Sequence, residues 1–324
     1  MARSNVSKKH WVGFDLGGTK MLATVYDAAF EAVGSRRRKT KEFKGPRAGV
    51  QGIIKTIDEA LEIAELPRRA LGGIGIGCPG VLELDRGIIQ HAPNLGWRNV
   101  QLARDLQKVF ACKVHLVNDV DAGTYGEYRF GAGEGARCLI GVFPGTGIGG
   151  GCVYDGKLIR GRVSSCFEFG HLHMAPKGRL CGCGRWGCLE TVAGRLAISA
   201  EAASAAFRGQ APHLLEMVGT DLTAIRSRVL AEAIEAGDQA IGEIVQRAAK
   251  YLGVGVASVV NLLAPDVIVL GGGMVEAMPK PFLTEVRTAV REQAMKPFRG
   301  VRVVAAKLGD DAGVMGAAAF AADQ

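Results

Sequence analysis

A strand, a glycine turn and a second strand occur together twice in this chain, and that repetition limits the possible fold more than any other feature of its 324 residues. The first copy runs from about Trp11 to Leu16, through Gly17-Gly18-Thr19-Lys20, into a strand near Met21 to Tyr26. The second runs from Cys138 to Phe143, through Pro144 and the glycine-rich stretch Gly145 to Gly151, and leaves by Cys152-Val153-Tyr154. Glycines at a turn between apolar, β-branched runs predict hairpins. Two such units predict two related α/β halves facing each other across a cleft. The first turn is no Walker A loop, which needs a longer glycine spacing and a helix directly behind it.

The remaining pattern fits that frame. A third strand is expected near the basic cluster at Arg36 to Lys41, followed by an amphipathic helix from about Ala48 to Glu65 with Ile53, Ile54, Ile57, Leu61 and Ala64 on one face. Leu71 to Gly77 reads as a buried strand that opens into Cys78-Pro79-Gly80, and Lys113 to Val117 as another that delivers Asn118-Asp119. Carboxyl ends of such strands are where open α/β sheets take ligands. Helices are expected near Val100 to Phe110, from about Val120, and over most of the chain from beyond the Glu168 to Glu190 stretch up to Leu263. A strand at Val267 to Leu270 then meets Gly271-Gly272-Gly273, and a strand near Val301 to Ala305 precedes a helix at Asp311 to Ala322. The expected division is residues 1–120 with 308–324 as one domain and 121–307 as the other.

Composition narrows the function. With 48% hydrophobic residues the chain can bury a large core. No apolar run approaches the roughly 20 residues that span a bilayer, and the first ten residues lack the apolar centre of a signal peptide, so a cytoplasmic protein without a membrane partner is expected. The formal charge of +8 is concentrated in Arg36 to Lys41 with Lys44 and Arg47, without interleaved aromatics. It reads as a solvated strand edge rather than a nucleic-acid surface.

The stretch from Glu168 to Glu190 carries the sharpest local chemistry. His171, Cys181, Cys183 and Cys188 offer three thiolates and an imidazole, a closed tetrahedral set of the kind that holds a structural zinc. A disulfide is the alternative, but the Cys181-Gly182-Cys183 pair is too close for easy bridging. Glu168 and Glu190 flank these ligands, placed to meet a polyhydroxyl compound.

Elsewhere, the two glycine turns expose backbone N–H groups that could grip a triphosphate, although either turn alone is also an ordinary hairpin. Asp15 ends the first strand and is placed to face metal-bound phosphate through water, with turn capping as the plainer role. Asp119 is the candidate base for an attacking alcohol, and an N-cap on the following helix is its plainer role.

Taken in order, Asp15-Leu-Gly-Gly-Thr-Lys20, Asn118-Asp119, Gly145-Thr-Gly-Ile-Gly-Gly150, Glu168-x-Gly-His171, Cys181-x-Cys-Gly-x-x-Gly-Cys-Leu-Glu190 and Val269-Leu-Gly-Gly-Gly273 resemble the ROK family of sugar kinases and repressors, specifically its glucokinase-like members. The resemblance runs from Val12 to about Ala319. It implies an actin-like, ribonuclease-H-type fold of two α/β domains, and ATP-dependent phosphorylation of a hexose, glucose first, with Asp119 activating the 6-hydroxyl. It further implies sugar contacts from Pro79, Gly80, Asn94, Asn118, Glu168, His171 and Glu190. ATP with Mg2+ would lie against Asp15, Gly17, Gly18, Thr19, Lys20, Gly145, Thr146, Gly147 and Gly149, its adenosine near Gly271, Gly272 and Gly273. Relatives are often dimers or tetramers, so a homo-oligomer is expected.

N-acetylmannosamine, N-acetylglucosamine and a broad hexose range are the alternative acceptors, and polyphosphate an alternative donor. A repressor would be expected to carry a longer DNA-binding segment ahead of the first strand. The chain departs from its relatives at Arg162 to Phe167, where Phe167 stands at a position commonly held by glycine, and at Pro144 before the second turn.

Overall fold

The computed structural model describes residues 10–162 and 166–324. The chain divides into two compact units, Met1–Gly135 with Lys157–Cys166 and Asp310–Gln324, and Ala136–Gly156 with Phe167–Gly309. Each unit is built on one of the predicted hairpins.

In the first unit, His10–Leu16 pairs antiparallel with Lys20–Tyr26, and Leu16 opposite Met21 closes the turn. Gly17 N–H donates to the Lys20 carbonyl at 3.0 Å. Ala32–Lys39 adds an antiparallel edge on one side. On the other side Leu71–Cys78 lies parallel to the first strand, and Lys113–Asn118 parallel to that. Arg36 and Arg38 of the edge strand both pair with Glu59 of the helix Gly45–Ile63, so the basic cluster is partly neutralised by the helix packed behind it. Phe14, Ile53, Ile57, Ile74, Ile76 and Leu116 belong to the core between that helix and the sheet.

The other face of this sheet is covered by small side chains. Gly13 and Gly75 are register partners on neighbouring strands, and a Cβ on either would stand 1.8 Å from a carbonyl oxygen of Val314 or Ala317 in the helix Ala312–Ala322. No larger residue permits that approach. The alanine-rich end of the chain therefore packs by backbone proximity, which keeps dispersion contacts dense without bulky groups. A separate three-stranded sheet, Val81–Glu83, Ile88–Ala92 and Trp97–Val100, was not expected from the pattern. Its Trp97 is 2% exposed and lies directly against Gly49.

The second unit repeats the arrangement. Cys138–Pro144 pairs antiparallel with Ile148–Tyr154, Pro144 opposite Ile148, and Gly145 N–H donates to the Gly147 carbonyl at 2.8 Å. Val267–Leu270 runs parallel to the first of these strands, and Arg302–Ala305 parallel to it in turn. The helix Gln239–Leu263 packs on Pro279–Gln293, and a Cβ on Gly253 would lie 2.7 Å from that of Ala289. Among the described residues no helix is long and apolar enough to cross a membrane.

Candidate active site

The first unit gathers carboxylates at the carboxyl ends of its parallel strands. Asp15 is register partner to Gly77, and Asp119 opens the helix Asp119–Phe130 directly after the strand Lys113–Asn118. Burial first, and then the charge of the Asp119 carboxylate, raise the Asp15 pKa to about 6 against the pull of Lys20 and Arg37. The buried Cys78 thiol is pushed up by burial first and then by the same two carboxylates. Cys78, Asp15 and Asp119 thus share one electrostatic neighbourhood.

The helix is capped by Asn118, not Asp119. Asn118 Oδ1 accepts from the N–H groups of Val120 at 2.9 Å and Asp121 at 3.3 Å. Asp119 Oδ1 accepts from Val120 N–H at 3.0 Å, so one of its oxygens is oriented by the first turn of its own helix. The cap uses Asn118 Oδ1, and a ligand would meet Nδ2.

Asn94 and the Pro79-Gly80 loop come from the unexpected small sheet and its border. A Cβ on Gly18 would lie 3.2 Å from Asn94 Cβ, so Asn94 rests on the first glycine turn. Gly80 has φ +94°, and a Cβ there would stand 2.3 Å from the His91 carbonyl oxygen. Thr40 Oγ1 donates to the Gly17 carbonyl at 2.6 Å and Thr40 N–H to that of Thr19 at 2.9 Å, which fixes the turn from outside. Lys20 faces Asp310 at 3.5 Å, and Asp310 also bears on Asp15. No motif in the sequence pointed to Asp310. Its place follows from the return of the chain's last helix to the first sheet.

In the second unit the four predicted metal ligands converge, with all their ligand atoms within 4.8 Å of one another. Cys183 Sγ and Cys188 Sγ are 3.7 Å apart, and Cys181 Sγ lies 3.6 Å from His171 Nδ1. Sulfurs about 2.3 Å from a tetrahedral zinc would stand about 3.8 Å apart, so these separations suit a shared ion. They exceed the roughly 2.05 Å of a disulfide, and none of the eight cysteines is disulfide-bonded.

The loop that brings them together is a tight hairpin. Cys181 N–H donates to the Arg185 carbonyl at 2.8 Å, and Gly187 N–H to that of Arg179 at 3.0 Å. Gly187 has φ +76°, and a Cβ there would stand 1.8 Å from the Ala175 carbonyl oxygen, so only glycine fits.

His171 turns its second nitrogen away from the cluster, with Nε2 3.9 Å from Glu168 Oε2. Glu168 itself is 69% exposed and available to a solute. Glu190 Oε1 accepts from Cys181 Sγ at 2.8 Å, while its Oε2 lies 2.5 Å from where a Gly147 Cβ would be. The carboxylate therefore ties the metal loop to the second glycine turn. Gly271 and Gly272 join the same place from the other side. Gly271 N–H donates to the Val142 carbonyl at 3.0 Å, and a Cβ on Gly272 would lie 2.9 Å from the Pro144 carbonyl oxygen.

Phe167 explains part of the unusual approach to Glu168. It has φ +66°, the left-handed conformation in which glycine is at ease and a phenylalanine is strained. Val163, Ser164 and Ser165 of that segment lie outside the described residues. A further side chain escaped sequence reasoning: Arg195, whose Nη2 donates to Thr146 Oγ1 at 3.0 Å.

The chain is similar to the model of the ROK family over residues 11–324. A glucokinase from Halalkalibacterium halodurans is 33% identical over 316 residues, which cover 96% of this chain and 94% of that protein. The crystal structure of a ROK family glucokinase from Streptomyces griseus, in complex with glucose and AMPPNP, has a TM-score of 0.81 at 31% identity, covering 97% of this chain and 100% of that one. A ROK family transcriptional regulator, a homologue of the E. coli MLC protein, has a TM-score of 0.85 at 25% identity, covering 97% of this chain and 78% of that one. The mixed α/β architecture is accordingly the actin-like fold expected from the sequence.

Proposed function

We propose, on the premise that this chain belongs to the ROK family, that it is an ATP-dependent hexokinase that converts glucose to glucose 6-phosphate. The observation that carries this reading is that Asp15 and Asp119 share the carboxyl edge of one sheet, where burial first and then the Asp119 charge raise the Asp15 pKa to about 6. A phosphotransferase uses both carboxylates: one accepts a proton while the other manages the charge of a metal-bound phosphate.

In this reading Asp119 accepts the proton of the sugar's 6-hydroxyl as its oxygen attacks the γ-phosphorus and the bond to the ADP oxygen breaks. Asp119 Oδ1 is oriented by Val120 N–H, and the carboxylate would accept the proton of the alcohol. Positioning and electrostatics do most of the work in such a transfer, so the hydroxyl contacts matter as much as the base. The sugar contacts of this reading are Asn94, the Nδ2 of Asn118, Pro79, Gly80, Glu168, His171 Nε2 and Glu190. The glycine turns at Gly17 to Lys20 and Gly145 to Gly149 would take phosphate oxygens, Asp15 a Mg2+ ion through its water shell, and Gly271 to Gly273 the adenosine.

His171, Cys181, Cys183 and Cys188 would hold a zinc ion that supplies a rigid frame and no chemistry of its own. Eight cysteines without a disulfide suit a reducing, cytoplasmic setting. The test is a coupled ADP-release assay across glucose, mannose, fructose, allose, N-acetylglucosamine and N-acetylmannosamine, with ATP and polyphosphate compared as donors. The expected result is turnover greatest with glucose and ATP. No turnover on any pair would overturn the proposal, and a clear preference for an N-acetylated sugar would replace glucose with that acceptor.

A further inference from the structure

Arg195 lies on the second glycine turn, and neither it nor the nearby Arg226 has a carboxylate partner among the described residues. Arg195 begins the helix Arg195–Phe207, and its backbone N–H donates to the Gly145 carbonyl at 2.9 Å while its guanidinium Nη2 reaches Thr146 Oγ1 at 3.0 Å. Its Nη1 donates to the Ile225 carbonyl at 3.5 Å. Arg226 stands near enough to repel it: burial and the Arg226 charge both lower the Arg195 pKa. Arg226 in turn donates from Nε to the Thr223 carbonyl at 3.3 Å.

Neither guanidinium has a carboxylate partner among the described residues. Arg36, Arg68, Arg137, Arg179 and Arg247 each have one. Arg195 Nη1 reaches the carbonyl of Ile225, the residue before Arg226, and an added anion would relieve the repulsion between the two like charges. Arg195 touches one of the loops that the kinase reading gives to the nucleotide, and the residue after Arg226 lies beside the other. Arg195 sits on Gly145 and Thr146, and Ser227, the neighbour of Arg226, lies 3.6 Å from where a Gly273 Cβ would be and donates to Met274 Sδ at 3.3 Å.

We infer that Arg195 and Arg226 form a cation pair that binds the phosphate chain of the donor nucleotide, with Arg195 holding it against the Gly145-Thr146 turn. The inference rests on the proposed kinase function for the identity of the anion. Guanidinium is suited to the task because it presents several N–H donors in a plane and keeps its charge at every working pH. Arg195 can keep Thr146 with one N–H and give others to phosphate oxygens, which a lysine could not do in the same geometry. Nucleotides that carry more phosphate charge should gain more from the pair.

The experiment compares the wild-type holoenzyme with Arg195→Gln, Arg226→Gln, Arg195→Lys and Thr146→Val. Steady-state kinetics would be read in ATP and in glucose separately, and equilibrium binding measured for AMP, ADP and tripolyphosphate. Arg195→Gln is expected to raise the KM for ATP about ten- to hundredfold with the KM for glucose unchanged. It should weaken ADP and tripolyphosphate far more than AMP, with Arg195→Lys recovering part of the loss and Arg226→Gln giving a smaller loss of the same kind.

Equal weakening of AMP, ADP and tripolyphosphate by Arg195→Gln would overturn the inference, as would a parallel rise in the KM for glucose. So would a Thr146→Val variant that reproduces the whole defect, because Arg195 would then be no more than a brace for the turn. If the wild type proves inactive on every hexose, the kinase reading fails. Tripolyphosphate that still binds to it, and is lost from Arg195→Gln, would leave the cation pair standing on its own.

Discussion

The two hairpin turns share a backbone plan and carry opposite chemistry. Gly17 to Thr19 in the first unit and Gly145 to Gly147 in the second each link antiparallel strands beside a parallel one. Around the first turn stand Asp15, Asp119 and Asp310, answered by Lys20 and Arg37. Around the second stand Arg195 and Arg226, with Glu190 the carboxylate nearest its glycines. A duplicated scaffold has thus been loaded with acid on one side and base on the other. The acidic turn suits proton transfer and a hydrated cation, and the basic turn suits phosphate oxygens. What differs between the halves is a few side chains that the shared topology places at equivalent turns.

The comparison breaks first at Asp119. Asp119→Asn keeps the shape and removes the proton acceptor, so kcat should fall about a hundred- to ten-thousandfold while glucose still binds, as steady-state kinetics and calorimetric titration would reveal. A variant that keeps full turnover would remove the first turn's catalytic role. The metal loop beside the second turn is next. Cys183→Ser should lose bound zinc, measured by atomic absorption, and weaken glucose at least about tenfold through the freed His171 and Glu190. Unchanged sugar affinity in a zinc-free protein would sever the loop from the site.

A smaller effect tests the acidity of the first turn. The Asp15 pKa is raised from 3.8 to about 6, so the native state holds this proton more tightly than the unfolded chain does. The resulting stabilisation is complete below about pH 4 and is lost as pH rises through about 6, leaving a buried carboxylate beside Asp119 at neutral pH. In the absence of nucleotide and Mg2+, Asp15→Asn should therefore be more stable than wild type at about pH 7.5, by about 2 kcal/mol, and should match it near pH 4. Calorimetric melting at the two pH values reads this directly, and a variant destabilised at neutral pH would contradict it.

The smallest effect concerns Phe167, held at φ +66° next to Glu168. Phe167→Gly removes the strain and loosens the loop, and should raise the KM for glucose roughly two- to fivefold while leaving that for ATP alone. A shift in the KM for ATP instead would mean that this segment serves the nucleotide.

Much of this was legible in the sequence because it is local. Both hairpins were marked by glycine between apolar runs, and the metal cluster lies within eighteen positions, from His171 to Cys188. Gly187 and the Cys181-Gly182-Cys183 spacing announce a tight ligand loop without reference to anything distant. The helix from Asp119 was expected near its true start, but its cap was not assigned to Asn118, since either residue type serves there and only the hydrogen bonds decide.

The small sheet at Val81 to Val100 was missed because its strands are three to five residues long and interrupted by Glu83, Asp85, Arg86 and Arg98, too short for a period to emerge. Asp310 and Arg195 were missed for a different reason. Asp310 meets Lys20 across 290 positions and Arg195 meets Thr146 across 49, so tertiary packing alone puts each beside its turn.

The most direct test of the central claim is phosphorus NMR of ATP and glucose incubated with the wild type and with Asp119→Asn in parallel. The account predicts a glucose 6-phosphate resonance growing in step with ADP for the wild type, and almost none for a variant that still binds glucose. Phosphate appearing on another hydroxyl, ADP formed without any sugar phosphate, or equal product from both proteins would contradict it.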